Sequence, residues 1–222
     1  MSKKFSLIRR SSSEKLAIAI ISIIYLVGIV GLSIPLHEDF VLLTPLNLLL
    51  STGLVLYFHT HWQKKQIAGM LLVFMAGWTA EYVGVNTGLL FGNYTYGPVL
   101  GPQIGHTPLM IGVNWLLLSY AVASLLVWLK LSTNCLLNTL LGALVLTGID
   151  ILIEPVAMDL DFWQWEGDTV PLQNYIGWFV VALPIMFCQF FFGMAQKNKV
   201  ALALLLLQVL FFTVLQLTLG TP

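Results

Sequence analysis

Long apolar runs of similar length follow one another along the chain, each broken by a short polar or turn-forming segment. They fall at about 16–36, 41–59, 67–90, 109–129, 135–157, 175–195 and 200–219. A bilayer core about 30 Å thick takes roughly 20 mostly apolar residues per helix, so the pattern predicts seven transmembrane spans. The first run is too long for a signal-peptide core and lacks an A-x-A-like cleavage site, so it reads as a mature helix. No segment between the runs is long enough for a soluble domain. The expected fold class is therefore an all-α polytopic transmembrane bundle. It forms one integral membrane domain over 1–222, with a polar segment at 1–15 and a functional core at about 67–195.

Composition agrees with that pattern. Hydrophobic residues make up 58% of the chain and charged residues 9%, against roughly 45 to 50% and 25% in a soluble domain, which excludes a soluble reading. Charge placement adds an orientation, because cytoplasmic loops carry the Lys and Arg excess. Lys3, Lys4, Arg9, Arg10 and Lys15 precede the first run, Lys64 and Lys65 follow the second, Lys130 the fourth, and Lys197 and Lys199 the sixth. With the N-terminus in the cytoplasm, all ten basic residues lie on one side of the cell membrane. Cys135 and Cys188 sit inside predicted spans, where cysteine acts more often as a small packing residue than as a disulfide partner.

Three acids interrupt the apolar runs: Glu81 in the third, and Asp150 with Glu154 in the fifth. An acid at a helix centre costs roughly 2.5 to 3.5 kcal/mol on insertion scales, so such residues usually face a cavity, a partner or a functional pathway. Asp150 and Glu154 are one helical turn apart and share a face. Gly77, Glu81, Gly84 and Gly88 follow one another at spacings of four, three and four, which lines them along one face where a neighbouring helix can approach. All three acids lie in the outer halves of their spans, away from every Lys and Arg, with only His106 or His37 within reach. An acid buried without a counter-ion favours its neutral, proton-bearing form, and two acids on one face cannot both ionise cheaply. The alternative is structural, with the acids bonded to Asn86, Asn114 or Tyr82 to lock helix packing.

Further polar and aromatic side chains surround these acids in the sequence. Trp78 and Tyr82 flank Glu81, and Asn114 and Trp115 open the fourth span. Aromatic faces stabilise cations and buried amides hold water, a combination suited to acid chemistry on an alkene. The outer loop 91–108 holds Tyr94, Tyr96 and His106 among glycines and prolines, with no charged residue. It either folds back as a lid or places its tyrosines in an interfacial aromatic belt. The loop 158–174 alternates acids with Phe162, Trp163 and Trp165, as an interfacial cap would.

Several familiar chemistries find no support. Four histidines are too few for a membrane di-iron site, and His59 and His61 lie at the opposite end from the acids. The last run lacks the lysine that a retinal protein needs. No phosphate-binding glycine loop, G-x-S-x-G motif or Cys/His zinc spacing occurs. Basic interior sites for diphosphates are absent as well.

The segments EYVGVNTGLLFGNYTYG from Glu81, PLMIGVNW from Pro108, DILIEPVAMDLDFWQW from Asp150 and VPLQNYIGW from Val170 resemble a known family. It is the membrane family of carotenoid biosynthesis proteins that includes bisanhydrobacterioruberin hydratase and gamma-carotene hydratase. The resemblance covers the stretch from Glu81 to Trp178. Members commonly have Asp before the proline where this chain has Glu154, a change that keeps the acid and moves its carboxyl by one methylene. The resemblance implies addition of water to the terminal C1,C2 double bond of an acyclic carotenoid end, with no cofactor and no metal. Glu81, Asp150 and Glu154 would be the catalytic acids, one set giving a proton and the other activating water. Trp78, Tyr82, Asn86, Tyr94, Tyr96, His106, Asn114, Trp115, Trp163, Trp165 and Asn174 would contact substrate. The expected partners are a carotenoid from the bilayer, membrane lipids and other carotenoid enzymes, with no nucleic acid. Two other readings stay open: a carotenoid cyclase using the same protonation without water, and a proton-coupled transporter. The latter is weakened by the lack of inverted repeats or broken helices.

Overall fold

The computed structural model describes residues 2–34 and 38–220. His37 and the outer end of the first apolar run lie outside the described residues. Helix α1 spans Ser2–Ser33, α2 Thr44–Tyr57, α3 Lys64–Thr87, α4 Leu109–Leu129, α5 Cys135–Asp159, α6 Leu172–Phe191 and α7 Lys199–Leu219. A 3-10 turn at Glu38–Leu43 precedes α2, where Pro45 suits the first helical turn because it has no N–H to satisfy there. Among the described residues, seven helices are long and apolar enough to cross a membrane, and the protein is a polytopic helical bundle.

Several boundaries differ from the apolar pattern. Helix α1 continues to Ser2, through the polar segment that precedes the first run. Helix α6 begins at Leu172, three residues before the apolar run, with Pro171 in extended conformation at its start. Helix ends follow backbone geometry, whereas apolar runs follow the thickness of the lipid core.

Helix α4 is the hub. Thirteen of its 21 residues are buried. It packs against α2, α3, α5, α6 and α7, while α1 lies along α7 and α5 along α6. Outward-facing leucines and isoleucines such as Leu16, Ile23, Leu46, Leu71, Leu144 and Leu206 remain exposed, as a lipid-facing surface requires.

The end of the bundle holding the α2–α3 and α6–α7 connections is tied by buried polar groups. The Asn198 side chain caps α7 by accepting from the backbone N–H of Val200 and Ala201 at 3.0 and 3.2 Å. Its amide donates to the Val55 carbonyl at 2.9 Å, joining α7 to α2. Nearby, His59 Nδ1 meets the Tyr120 hydroxyl at 2.9 Å and His59 Nε2 meets Gln66 at 3.2 Å. Asn198→Ala removes a cap and leaves a buried carbonyl without its donor, for an expected loss of about 2 to 3 kcal/mol. Thermal unfolding in detergent checks it.

At the opposite end, the α3–α4 and α5–α6 connections meet. Strand β1, Tyr94–Tyr96, pairs antiparallel with β4, Trp163–Trp165, in the register Tyr94 with Trp165 and Tyr96 with Trp163. A second short pair, β2 at Gln103–Ile104 and β3 at Thr107–Pro108, leads into α4. Side chains alternate along a strand, so Tyr94, Tyr96, Trp163 and Trp165 all project from one face of the ladder. That face is turned into the bundle.

Candidate active site

Beneath the ladder sit the three acids. Glu81 is 4% exposed, Glu154 1% and Asp150 0%. The Glu81 carboxyl takes three hydrogen bonds: the Tyr94 and Tyr96 hydroxyls each donate to Oε2 at 2.6 Å, and Trp115 Nε1 donates to Oε1 at 2.9 Å. Glu154 also takes three. Trp163 and Trp165 Nε1 donate to its Oε2 at 2.9 and 2.7 Å, and the Asn174 amide donates to its Oε1 at 2.9 Å. The same Asn174 amide donates to Asp150 Oδ2 at 2.8 Å. Asp150 Oδ1 is buried with no hydrogen-bond partner among the described residues.

The local sequence explains this convergence. Helix α3 brings Glu81 in on its glycine face, where Gly77 and Gly84 each make room for an aromatic ring. A Cβ at Gly77 would lie 2.5 Å from the Trp115 side chain, and one at Gly84 would lie 2.5 Å from the Phe91 ring and 3.1 Å from the Tyr94 hydroxyl. Gly88, in left-handed conformation with φ 67°, ends the helix and turns the chain toward β1. Pro155, inside α5, cannot donate to the carbonyl one turn back, which interrupts the helix ladder beside Glu154. Gly84→Ala forces Phe91 and Tyr94 to shift, at an expected cost of about 1 to 3 kcal/mol, read as a lowered unfolding midpoint.

Every hydrogen-bond donor to these acids among the described residues is neutral: two phenols, three indoles and one amide. Burial, and after it the Glu81 carboxyl beside them, pushes the Tyr94 and Tyr96 phenols well above their ordinary value. Both tyrosines therefore stay protonated and keep donating through neutral pH. Among the described residues, no group of three His, Cys, Asp or Glu side chains could hold a metal ion.

The structure thus gathers Glu81, Asp150, Glu154, Tyr94, Tyr96, Trp115, Trp163, Trp165 and Asn174 in one place. The loop 91–108 closes as a lid over the acids, and its tyrosines point inward instead of forming an interfacial belt. Neither Asn86, Asn114 nor Tyr82 bonds the acids, so the structural alternative through those three side chains does not describe the site. Asn86 donates to the carbonyls of Tyr82 and Gly105 at 2.8 and 2.9 Å, holding the loop to α3. Tyr82 is 39% exposed and packs at 5.3 Å on Trp78. His106 is exposed at a left-handed turn with φ 63°. Trp78, Tyr82, Asn86 and His106 therefore lie away from the carboxyl groups, and Asn114 lines an adjoining cavity.

Trp178 joins the site without having been singled out in the sequence. Its ring stacks on Trp115 at 4.2 Å and 25°, and it lines the small space under the ladder with Phe91, Ile111 and the two glutamates. Its presence in the VPLQNYIGW segment was the available signal.

Comparison with known proteins follows the same segments. A family model described as carotenoid biosynthesis protein matches residues 43–222. A bisanhydrobacterioruberin hydratase of Haloarcula japonica is 34% identical over 122 residues. That match covers 50% of this chain and 41% of the relative, so the chain spans less than half of that protein's length. No solved structure matches.

Proposed function

Because the chain belongs to the carotenoid biosynthesis protein family, we propose that it is a hydratase, adding water across the terminal C1,C2 double bond of an acyclic carotenoid end. The observation that carries this reading is the single Asn174 amide shared by Asp150 and Glu154, with no cation bonded to either among the described residues. Two carboxyls this close, out of water and without a counter-ion, hold one proton between them, because a second negative charge has nothing to offset it. Glu154 borders the space under the ladder and Asp150 does not. Glu154 is therefore the group that delivers the proton, and Asp150 keeps the pair supplied.

The chemistry balances without any redox step. Glu154 gives its proton to C2, the double-bond electrons form the new C–H bond, and a tertiary cation is left at C1. Trp178 and the ladder aromatics line the space under the ladder, and their rings can stabilise the positive charge. Water oxygen then bonds to C1, and the proton it loses passes to Glu81. Glu81 shares none of its three donors with a second carboxyl, which suits a carboxylate that takes a proton. Return of that proton to the Asp150–Glu154 pair resets the site, and the net change is one water added. With the N-terminus in the cytoplasm, the site lies in the membrane half away from it, and a carotenoid end enters from the lipid.

The test is expression in a host that accumulates lycopene or gamma-carotene. A tertiary alcohol heavier than the starting pigment by one water is expected. Unchanged pigment beside membrane-inserted protein overturns the proposal, and a ring formed with no change in mass replaces it with a cyclase.

A further inference from the structure

A second cavity adjoins the carboxyl site. Lined from α1, α2, α4, α5 and α7, it has a volume of about 70 Å³. Ile111 and Trp163 line both this cavity and the small space under the ladder, so the two are neighbours across those side chains. Most of its wall is leucine, isoleucine and phenylalanine. One strip is polar: Tyr25 from α1, Asn47 from α2 and Gln208 from α7 come together there, and Asn114 from α4 adds another amide to the wall.

A polar strip in the lipid-embedded wall of an apolar cavity is costly unless something satisfies it. Gln208 is 3% exposed, and its Oε1 has no hydrogen-bond partner among the described residues although the side chain lines the cavity. Helix packing alone would be served by leucine, as it is at nine other positions of α7. The Tyr25 hydroxyl bonds Ser51, Asn47 and Gln208, and Ser51 donates to Asn47 Oδ1 at 3.1 Å, so Gln208 Oε1 is the acceptor left open to a water, for which the cavity has room.

We propose that Tyr25, Asn47 and Gln208 form an oxygen subsite, holding the water that supplies the space under the ladder. This rests on the hydratase reading and adds to it the place where the nucleophile waits, on helices distant in sequence from the acids. A carbocation formed beside Glu154 has two fates. Water capture gives the alcohol, and loss of a proton returns an alkene. The subsite decides between them.

The test separates those fates in membranes supplied with an acyclic carotenoid in deuterated water. Protonation followed by deprotonation leaves deuterium in the recovered alkene, whereas capture gives the alcohol. Gln208→Met keeps the volume and removes the amide. It is expected to lower alcohol formation about tenfold, equivalent to about 1.4 kcal/mol, while deuterium continues to enter the alkene. Tyr25→Phe, which loses only a hydroxyl, is expected to shift the same ratio in the same direction and reads it if Gln208→Met fails to accumulate. Unchanged alcohol and exchange in these variants overturns the subsite. A parallel fall of both does so too, since it means that these residues position the chain and not the oxygen. A wild-type protein giving neither alcohol nor exchange overturns the parent reading instead.

Discussion

Glu154→Gln ends alcohol formation, and so does Glu81→Gln, each by roughly 100-fold to 10,000-fold, the range that general acid or base catalysis supplies. Both exchanges keep nearly the same shape. After Glu154→Gln the amide oxygen can still accept from the Trp163 and Trp165 indoles, but the side chain has no acidic proton for C2. In Glu81→Gln the oxygen that replaces Oε2 can still accept from the two tyrosines, yet an amide cannot take a proton from water at neutral pH. The substitutions differ in what survives. Glu81→Gln leaves the first protonation intact, so deuterium still enters the recovered alkene, whereas Glu154→Gln abolishes exchange as well. Pigment mass and deuterium content, measured per amount of membrane-inserted protein, check both. Full activity in either variant removes that residue from the mechanism.

Asp150→Asn is the second large effect, at a residue that does not border the space under the ladder. It removes the negative neighbour that obliges the pair to keep a proton. The proton is then no longer held between two carboxyls, and Glu154 keeps only its three neutral donors. Alcohol formation is expected to fall about 100-fold, because the carboxyl facing the alkene no longer starts with a proton. Lowering the external pH refills Glu154 in this variant and recovers part of the activity. Glu154→Gln gives no such recovery, and that contrast in the two pH profiles distinguishes a loss of proton supply from a loss of the donor itself.

Much of this molecule can be read directly from its sequence, for a simple reason. Lipid imposes one length scale, so apolar runs mark the helices, and any acid inside a run stands out against its cost. Glu81, Asp150 and Glu154 were visible in that way. The pairing of Tyr94–Tyr96 with Trp163–Trp165 was not. Strands of three residues carry too little alternation to register, and their partners are far apart in the chain. Only in the folded bundle does it emerge that four aromatic donors share one face and divide between two glutamates.

The residues that stand apart from the acids do so for an equally plain reason. Trp78, Tyr82 and Asn86 are near Glu81 along the chain, but on a helix they lie about 60°, 100° and 140° around the axis from it. They serve the neighbouring face and the anchoring of loop 91–108. Conversely, Tyr25 and Gln208 sit singly in helices that otherwise read as lipid-facing or core. Nothing in the sequence relates α1 to α7, and only their packing against each other brings those side chains to one cavity.

Infrared spectroscopy of the protein in membranes at neutral pH tests the central claim most directly, because the stretch of a protonated carboxyl is distinct from that of a carboxylate. The account predicts one buried protonated carboxyl in the wild type, lost in Asp150→Asn. A wild-type spectrum with no protonated carboxyl, or one whose band survives both Asp150→Asn and Glu154→Gln, contradicts it.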